Sequence, residues 1–221
     1  MNPATKTPSK PRTRSRTPTK APPRKREAAA PDRALRADAL RNREAVLAAA
    51  RELFADQGLE AQMPDVAKAA KVGVGTVYRH FPTKEDLIRA LAEDRFRRLA
   101  ERAEEALAED DAWEAFQGFI RYSAEIQVAD RGLCEVMGSR PDIMETAAEA
   151  AGLQELSEEL VKRAQRSGEL RADVTWEDVP MIACSLGRIT QAQQGPAAGR
   201  WPRLLAIVLD GLRAPAAEKL P

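Results

Sequence analysis

The stretch from Arg41 to Lys84 constrains the fold most, because its turns are too short for neighbouring helices to lie side by side. Apolar residues recur at helical spacing as far as Gln57-Gly58, where the glycine can adopt the left-handed conformation of a helix cap. Pro64 suits the first turn of a second helix, where its missing amide proton is not needed. Val72-Gly73 leaves only a short turn before a third helix. The sequence therefore predicts a helix-turn-helix, in which the second and third helices cross steeply.

The third helix, which Pro82 ends, is predicted to have an unusual outward face. Wound at about 100° per residue, it separates into two sides. One side carries Val77, Phe81, Val74 and Tyr78, and the opposite side carries Gly75, Arg79, Thr76 and His80. Side chains that are small or able to hydrogen-bond suit a helix pressed against another surface. We expect that surface to be DNA, because a helix-turn-helix places its second helix across the major groove.

Three runs of residues in this region resemble the DNA-binding domain of TetR-family transcriptional regulators. The most diagnostic run has the pattern G-T-V-Y-x-H-F-P-x-K, from Gly75 to Lys84. The other two are Arg51 to Gly58 and Val66 to Ala70. The chain departs from the family pattern at Lys71, where the turn usually has glycine, and at Gly73, where serine or threonine usually caps the helix. Glycine is an acceptable N-cap residue, so only the backbone of the turn at Lys71 is left open.

The resemblance implies that eight residues contact DNA. Phosphate contacts are implied for Tyr78, His80 and Lys84, and for Gln62 in the loop before the second helix. Positions facing the bases or their surroundings are implied for Val74, Gly75, Thr76 and Arg79. Arg79 is able to bind guanine through two hydrogen bonds, whereas Val74 can at most contact a thymine methyl. A lone histidine is usually structural, but the outward position of His80 favours a phosphate contact.

The composition favours helices, because Ala, Leu, Glu and Arg dominate the chain after Asp38 while aromatic residues make up only 5%. We expect an all-α fold of about nine helices. It comprises an N-terminal three-helix helix-turn-helix domain and, as the resemblance implies, a C-terminal helical domain for ligand binding and dimerisation. The expected divisions are a disordered basic tail at 1–31, the DNA-binding domain at 32–86, the C-terminal domain at 87–214 and a flexible end at 215–221.

Periodicity and cap signals predict where the helices begin and end. Thr83 is expected to cap the fourth helix, with Asp86 completing an arrangement close to a capping box. The first three helices are expected at about 38–57, 64–71 and 74–81. The later ones are expected at about 83–109, 113–128, 132–137, 141–167, from 175 onward, and 199–212.

The first residues of the chain carry a concentrated positive charge. Nine Lys or Arg residues and no acidic residue lie between Lys6 and Arg26, so the rest of a chain with net charge +1 carries about −8. Such a polar, apolar-poor tail is expected to be disordered. It can hold DNA phosphates or enter a minor groove, or it can be a simple solubility extension.

The resemblance also implies a small-molecule site among the fourth to eighth helices and a dimer interface on the last two. An apolar or amphipathic ligand is favoured, although ordinary core packing is the simpler explanation for each candidate residue. The candidate pocket walls are Phe96, Phe116, Phe119, Ile120, Met137, Met144 and Cys184, with Arg188 as a polar anchor. The candidate dimer residues are Ile182, Leu186, Ile189, Trp201, Leu205, Val208 and Leu209.

Other classes of site find little support in the residues. Cys134 and Cys184 are far apart, so we expect two reduced, buried thiols and neither a metal site nor a disulfide. His80 is the only histidine, and no nucleophile with a base or phosphate-binding loop is evident, so no enzyme and no cofactor are expected. No apolar run is long enough for a membrane span or a secretory signal, which favours a soluble, cytoplasmic protein. The resemblance implies that this is the bacterial cytoplasm, in association with the nucleoid.

The leading hypothesis is a homodimeric transcriptional repressor that binds a pseudo-palindromic operator in double-stranded DNA. A small apolar or amphipathic effector is expected to release it. The alternative is a nucleoid-type DNA-binding protein that uses the basic tail and does not respond to a ligand.

Overall fold

The chain forms an all-α fold, as the composition predicts. The structure is a computed structural model that describes residue 1 and residues 30–130, 135–136, 138–192, 200–215 and 218–220. Within these ranges it contains no β-strand, and no helix is long and apolar enough to cross a membrane. The described helices are α1 (Ala30–Gln57), α2 (Met63–Ala69), α3 (Val74–His80), α4 (Lys84–Leu107), α5 (Ala112–Ala129), α6 (Pro141–Ala150), α7 (Leu153–Arg166), α8 (Asp178–Ala192) and α9 (Trp201–Leu212).

Two helix boundaries differ from those expected from the sequence. Helix α1 begins at Ala30 instead of residue 38, because Pro31 suits a first turn and the following Ala, Leu and Arg residues are good helix formers. The single helix expected at 141–167 is two helices, because Gly152 adopts the left-handed conformation, with φ +61, and interrupts the helix there. The short helix expected at 132–137 lies largely outside the described residues, as does most of the basic tail.

Two clusters of buried apolar residues hold the helices together. The first core joins α1 to α3 with the N-terminal half of α4, the end of α5, and α6; its members include Val46, Ala50, Phe54, Val66, Val77, Phe81, Leu87, Leu91, Phe96, Ile126, Ile143 and Ala147. The second core joins the C-terminal half of α4 to α5, α7, α8 and α9; its members include Ala103, Ala106, Trp113, Phe116, Phe119, Ile120, Leu160, Leu186, Leu205 and Leu209. Apolar packing therefore runs across the division expected at residues 86 and 87.

Polar contacts fix both ends of α4, the helix that contributes to both cores. At its start, the Thr83 hydroxyl accepts a hydrogen bond from the Asp86 amide, and the Thr83 amide donates to the Asp86 carboxylate, each at 3.1 Å. This is the expected capping box. At its end, the Arg163 guanidinium of α7 donates to the carbonyl oxygens of Leu107 at 2.9 Å and of Ala106, and to those of Glu109 and Asp110 just beyond the helix. A cation at this position also complements the negative end of the helix dipole.

Replacing Arg163 with methionine should lower the free energy of unfolding by about 2 kcal/mol, because charge-assisted hydrogen bonds to the end of α4 are lost. Chemical denaturation measures this change. Arg166→Met is the matched control, since Arg166 lies on the same helix, is largely exposed and, within the described part of the chain, pairs with exposed Glu159. That variant should differ from the parent by less than about 0.5 kcal/mol. Equal losses in the two variants would contradict the capping role.

Candidate nucleic-acid interface

Helix α3 is attached to the protein through its buried side. Val77 is fully buried and Phe81, directly after the helix, is 2% exposed; both belong to the first core. The guanidinium of Arg43 in α1 lies 5.5 Å from the centre of the Phe81 ring. This packing sets the rotation of α3 about its axis and so decides which side chains point outward.

The outward face of α3 consists of Val74, Gly75, Tyr78 and Arg79. Val74 is 43% and Tyr78 45% exposed, so both are open to an outside partner although the helical wheel places them on the same side as buried Val77 and Phe81. A helical wheel gives the angle of a side chain but not the neighbours that cover it, and only Val77 and Phe81 enter the first core. Among the described residues, Arg79 has no ion-pair partner, which leaves its guanidinium available to an external acceptor.

The remaining candidate DNA contacts surround this face in the sequence. Thr76 and His80 are half-buried. Lys84, in the first turn of α4, is also half-buried, with its ammonium 5.6 Å from the centre of the Phe54 ring. Gln62 is exposed at the N-cap of α2, and its amide donates to the Glu60 carbonyl at 2.8 Å. The phosphate contacts of His80, Lys84 and Gln62 and the position of Thr76 near the bases remain predictions. All four residues belong to one helix-turn-helix and the helix that follows it.

The turn between α2 and α3 contains a lysine in a backbone conformation that favours glycine. Lys71 has φ +57, and the amide of the next residue, Val72, donates to the Ala67 carbonyl at 3.0 Å. The lysine therefore keeps the left-handed turn that the family resemblance implies for glycine. An L-residue with a Cβ is disfavoured there, by roughly 1–2 kcal/mol.

The candidate pocket residues fall into two separate groups. Phe96 belongs to the first core, with Met144 packed against it, whereas Phe116, Phe119 and Ile120 are almost fully buried in the second core. Cys184 is exposed, so the expectation of a buried thiol was wrong at this position. Spacing within α8 could have shown this, since Cys184 lies two residues before buried Leu186 and so faces away from it. Met137, Cys134 and the Arg188 side chain lie outside the described part of the structure.

The candidate dimer residues are mostly turned toward the protein's own core. Leu186, Leu205 and Leu209 are buried in the second core, with Ile182, Trp201 and Val208 partly buried against it. The Ile189 side chain is not among those described. Two apolar side chains that the sequence interpretation missed are exposed instead, Met181 on α8 at 66% and Ile207 on α9 at 57%.

Ion pairs connect the DNA-binding helices to the rest of the fold, and the sequence interpretation did not find them. Arg51 of α1 donates to Asp94 of α4, which also binds Arg97 at 2.6 Å. Arg140, just before α6, pairs with Glu85 in the first turn of α4, beside Lys84. Arg140 also binds Asp142, and these hydrogen bonds hold the pKa of the Asp142 carboxyl below its ordinary value. Arg51 and Asp94, like Arg140 and Glu85, are distant in sequence, so no local pattern reveals these two pairs.

Titratable side chains in the described part of the structure do not form a metal site. No group of three or more His, Cys, Asp or Glu residues there is close enough to hold an ion. The candidate site considered in these ranges is the outward face of α3 with the positive side chains near it. Its chemistry is that of a surface contact, with one exposed guanidinium, one phenol and apolar atoms.

Comparison with known families matches both halves of the chain. Residues 46–91 match the model described as bacterial regulatory proteins, tetR family. Residues 111–214 match the model described as transcriptional regulator SbtR-like, C-terminal domain.

Two solved structures are similar over nearly their whole lengths. A TetR transcription regulatory protein from Mycobacterium vanbaalenii is 40% identical, with 81% of this chain and 99% of that chain covered and a TM-score of 0.61. A TetR transcriptional regulator from Streptomyces coelicolor is 31% identical, with 79% and 99% covered and a TM-score of 0.62.

Similarity to curated proteins is confined to a shorter region. An HTH-type transcriptional regulator from Staphylococcus aureus strain MRSA252 is 36% identical over 81 residues, which are 35% of this chain and 42% of that protein. A second, from strain bovine RF122 / ET3-1, is 43% identical over 54 residues, 24% of this chain and 29% of that protein. The matches therefore span less than half the length of these curated relatives.

Lys71→Gly should raise the free energy of unfolding by about 1 kcal/mol, because glycine adopts the left-handed turn without the steric cost of a Cβ. The matched control is Lys68→Gly, the same change inside α2, which should lower it by about 1 kcal/mol. Denaturant titration of the three proteins measures both effects. A loss of stability in Lys71→Gly would contradict the strain at this turn.

Proposed function

This chain belongs to the TetR family of bacterial transcriptional regulators, and we propose that it is a homodimeric repressor of a pseudo-palindromic operator. The observation that carries the proposal is the outward face of α3, formed by Val74, Gly75, Tyr78 and Arg79. Large side chains exposed on a helix already anchored through Val77 suit contact with a second molecule. In a DNA-binding family, that molecule is the operator.

We assign the polar side chains around this face to two kinds of DNA contact. Arg79 binds a guanine edge in the major groove, where its planar guanidinium can donate two hydrogen bonds. Tyr78, His80, Lys84 and the amide of Gln62 bind phosphates and set the position of the helix. In a dimer, the two copies of α3 lie about 34–36 Å apart, one turn of DNA.

The dimer contact is proposed for the outward sides of α8 and α9. Met181 and Ile207 supply exposed apolar surface, with Cys184 on the same helix as Met181. The expected set is revised here, because Leu186, Leu205 and Leu209 pack α8 and α9 onto the second core instead of facing a partner. Ile182, Trp201 and Val208, which are partly buried, border the proposed contact.

We also propose that a small apolar or amphipathic molecule releases the protein from its operator. The support is that α4 belongs to both cores, with Phe96 in the first and Ala103 in the second. A ligand that inserts among Phe116, Phe119 and Ile120 changes the packing under α4 and favours a different position of the DNA-binding helices. Release is then a shift between two populations.

Selection from a random DNA library with the purified protein should yield an inverted repeat, because each protomer reads one half-site. Competition with unrelated DNA measures the preference. Sequence-independent binding alone would contradict the proposal and favour the nucleoid-type alternative.

Variants of the selected complex separate base contacts from phosphate contacts. Arg79→Ala should relax the preference at one position in each half-site, with about 1–3 kcal/mol of discrimination lost. Lys84→Ala should weaken binding to all sequences and reduce the salt dependence. Lys162→Ala, which removes an equal charge from the exposed side of α7, is the matched control and should change neither property.

Met181→Glu and Ile207→Glu should each convert the dimer to a monomer in solution, because a charge is expensive to bury at an apolar contact. Sedimentation equilibrium measures the mass of the species. Leu40→Glu is the control, since Leu40 is 61% exposed on α1, away from α8 and α9. Monomers of all three variants, or dimers of all three, would argue against this interface.

The amphipathic probe 8-anilinonaphthalene-1-sulfonate should bind saturably and lower the affinity of the protein for its selected operator, because it shares the chemistry of the proposed effector. Fluorescence titration measures binding and electrophoretic mobility shift measures release. Saturable binding without any change in operator affinity would contradict the coupling, and the absence of saturable binding would contradict the site.

A further inference from the structure

A layer of polar side chains lies between α4 and the end of α5, where most of the buried side chains are apolar. Arg95 and Asp130 are 5% and 6% exposed, and the Arg95 guanidinium donates to the side-chain oxygen of Gln127. Arg95 and Arg98 both approach one carboxylate oxygen of Asp130, at 3.7 and 3.6 Å. These four residues, Arg95, Arg98, Gln127 and Asp130, are called the polar layer below.

The polar layer reaches the DNA-binding helices through Asp94. The Nε atom of Arg98 lies 3.3 Å from a carboxylate oxygen of Asp94, and Arg51 of α1 donates to that same oxygen. Arg51 lies on the first helix of the DNA-binding domain. A continuous set of charged contacts therefore runs from the polar layer to α1.

On its other side, the polar layer touches α8. A Cβ added at Gly187 would overlap Cγ of Gln127, so the Gln127 side chain passes directly over this glycine. Gly187 is buried, whereas Met181 and Cys184 on the same helix are exposed. The inward side of α8 is therefore in close contact with a residue that accepts a hydrogen bond from Arg95.

We propose that the polar layer is a positioning device for operator binding. It holds α1 at one orientation relative to α8 and so sets the half-site spacing that the dimer reads. The inference rests on the proposed function, because it takes α8 as part of the dimer contact and α3 as the helix that reads DNA. It adds a polar connection, from α8 through α5 to α1, to the apolar packing along α4.

A fixed spacing requires contacts that are more directional than apolar packing. Burial of apolar surface is not directional, so it tolerates small changes in the orientation of a helix. Tilting a helix of 24 residues, about 36 Å long, by about 5° moves its far end by about 3 Å, close to one base-pair step. Hydrogen bonds and ion pairs restrict such tilts, because they depend on the positions of particular atoms.

Stability alone does not explain the polar layer. Replacing a buried ion pair with apolar side chains of similar volume is often neutral or stabilising. One carboxylate oxygen of Asp130 is buried and, among the described residues, accepts no hydrogen bond, although two guanidiniums lie near it. Such an arrangement is explained by a need for one geometry, and half-site spacing is the property of this protein that needs it.

The test compares the selected operator with versions in which one base pair is added or removed between the half-sites. This change moves a half-site by about 3.4 Å and turns it by about 35° around the duplex. Asp94→Asn removes the charge that joins the polar layer to α1, and Gly187→Ala displaces Gln127 from the α8 side. Each variant should bind the selected spacing about tenfold more weakly and a single half-site as well as the parent does, so its preference for that spacing falls.

Arg102→Met is the matched control, since Arg102 is a half-buried arginine of α4 that pairs with Glu109 instead of the polar layer. It should keep the spacing preference of the parent. Equal weakening at every spacing in Asp94→Asn and Gly187→Ala, or the same loss of preference in Arg102→Met, would overturn the inference.

Two double variants separate positioning from a simple loss of stability. Asp94→Asn with Gly187→Ala should bind about tenfold more weakly than the parent, like either single variant, whereas independent sites would give about a hundredfold. Gly187→Ala with Gln127→Ala relieves the overlap, so thermal stability should return to that of Gln127→Ala while the spacing preference stays reduced. Multiplied effects in the first double variant, or a restored preference in the second, would overturn the inference.

Sedimentation equilibrium should show that every variant is as dimeric as the parent, because Gly187 and Asp94 do not lie on the exposed side of α8. Dissociation of a variant would assign its effect to the dimer contact and overturn the inference. Failure to select any operator would instead overturn the proposed function and this inference together.

Discussion

Helix α4 is the constraint on which the rest of the fold depends, because both apolar cores are built around it. Leu87 and Leu91 in its first half pack with the DNA-binding helices, while Ala103 and Ala106 in its second half pack with α5 and the C-terminal helices. A helix of 24 residues is about 36 Å long and behaves as one rigid element. A displacement at either end of α4 therefore affects packing at the other.

Local costs to stability are concentrated in the helix-turn-helix. Lys71 occupies a left-handed conformation, Gly75 lies inside a helix, and Val74 and Tyr78 expose apolar surface to water. Each feature contradicts the local preference of its residue, whereas Thr83 and Asp86 nearby follow theirs. Natural proteins tolerate such conflicts chiefly where function requires them. These conflicts therefore favour the helix-turn-helix as the functional surface, in agreement with the family resemblance.

Several features of the fold could be predicted because they depend on neighbours in the sequence. Periodic apolar residues indicated the all-α class, and Thr83 with Asp86 indicated the start of α4. The break at Gly152 was missed, because periodic signals on both sides of it suggested a continuous helix. The helical wheel alone could not show how far Val74 and Tyr78 are exposed, since exposure depends on what lies opposite a helix in space.

The sequence by itself determined the helices, the short turns between them and the residue types on α3, because hydrogen bonding within a helix and its caps are local. Tertiary structure decided which apolar side chains serve the core and which face outward. Leu205 and Ile207 are both apolar and two residues apart, yet one is buried and the other exposed. The difference arises because α9 packs one side onto the second core. Whether a side chain of α9 is buried depends on that contact and cannot be derived from the composition of the helix.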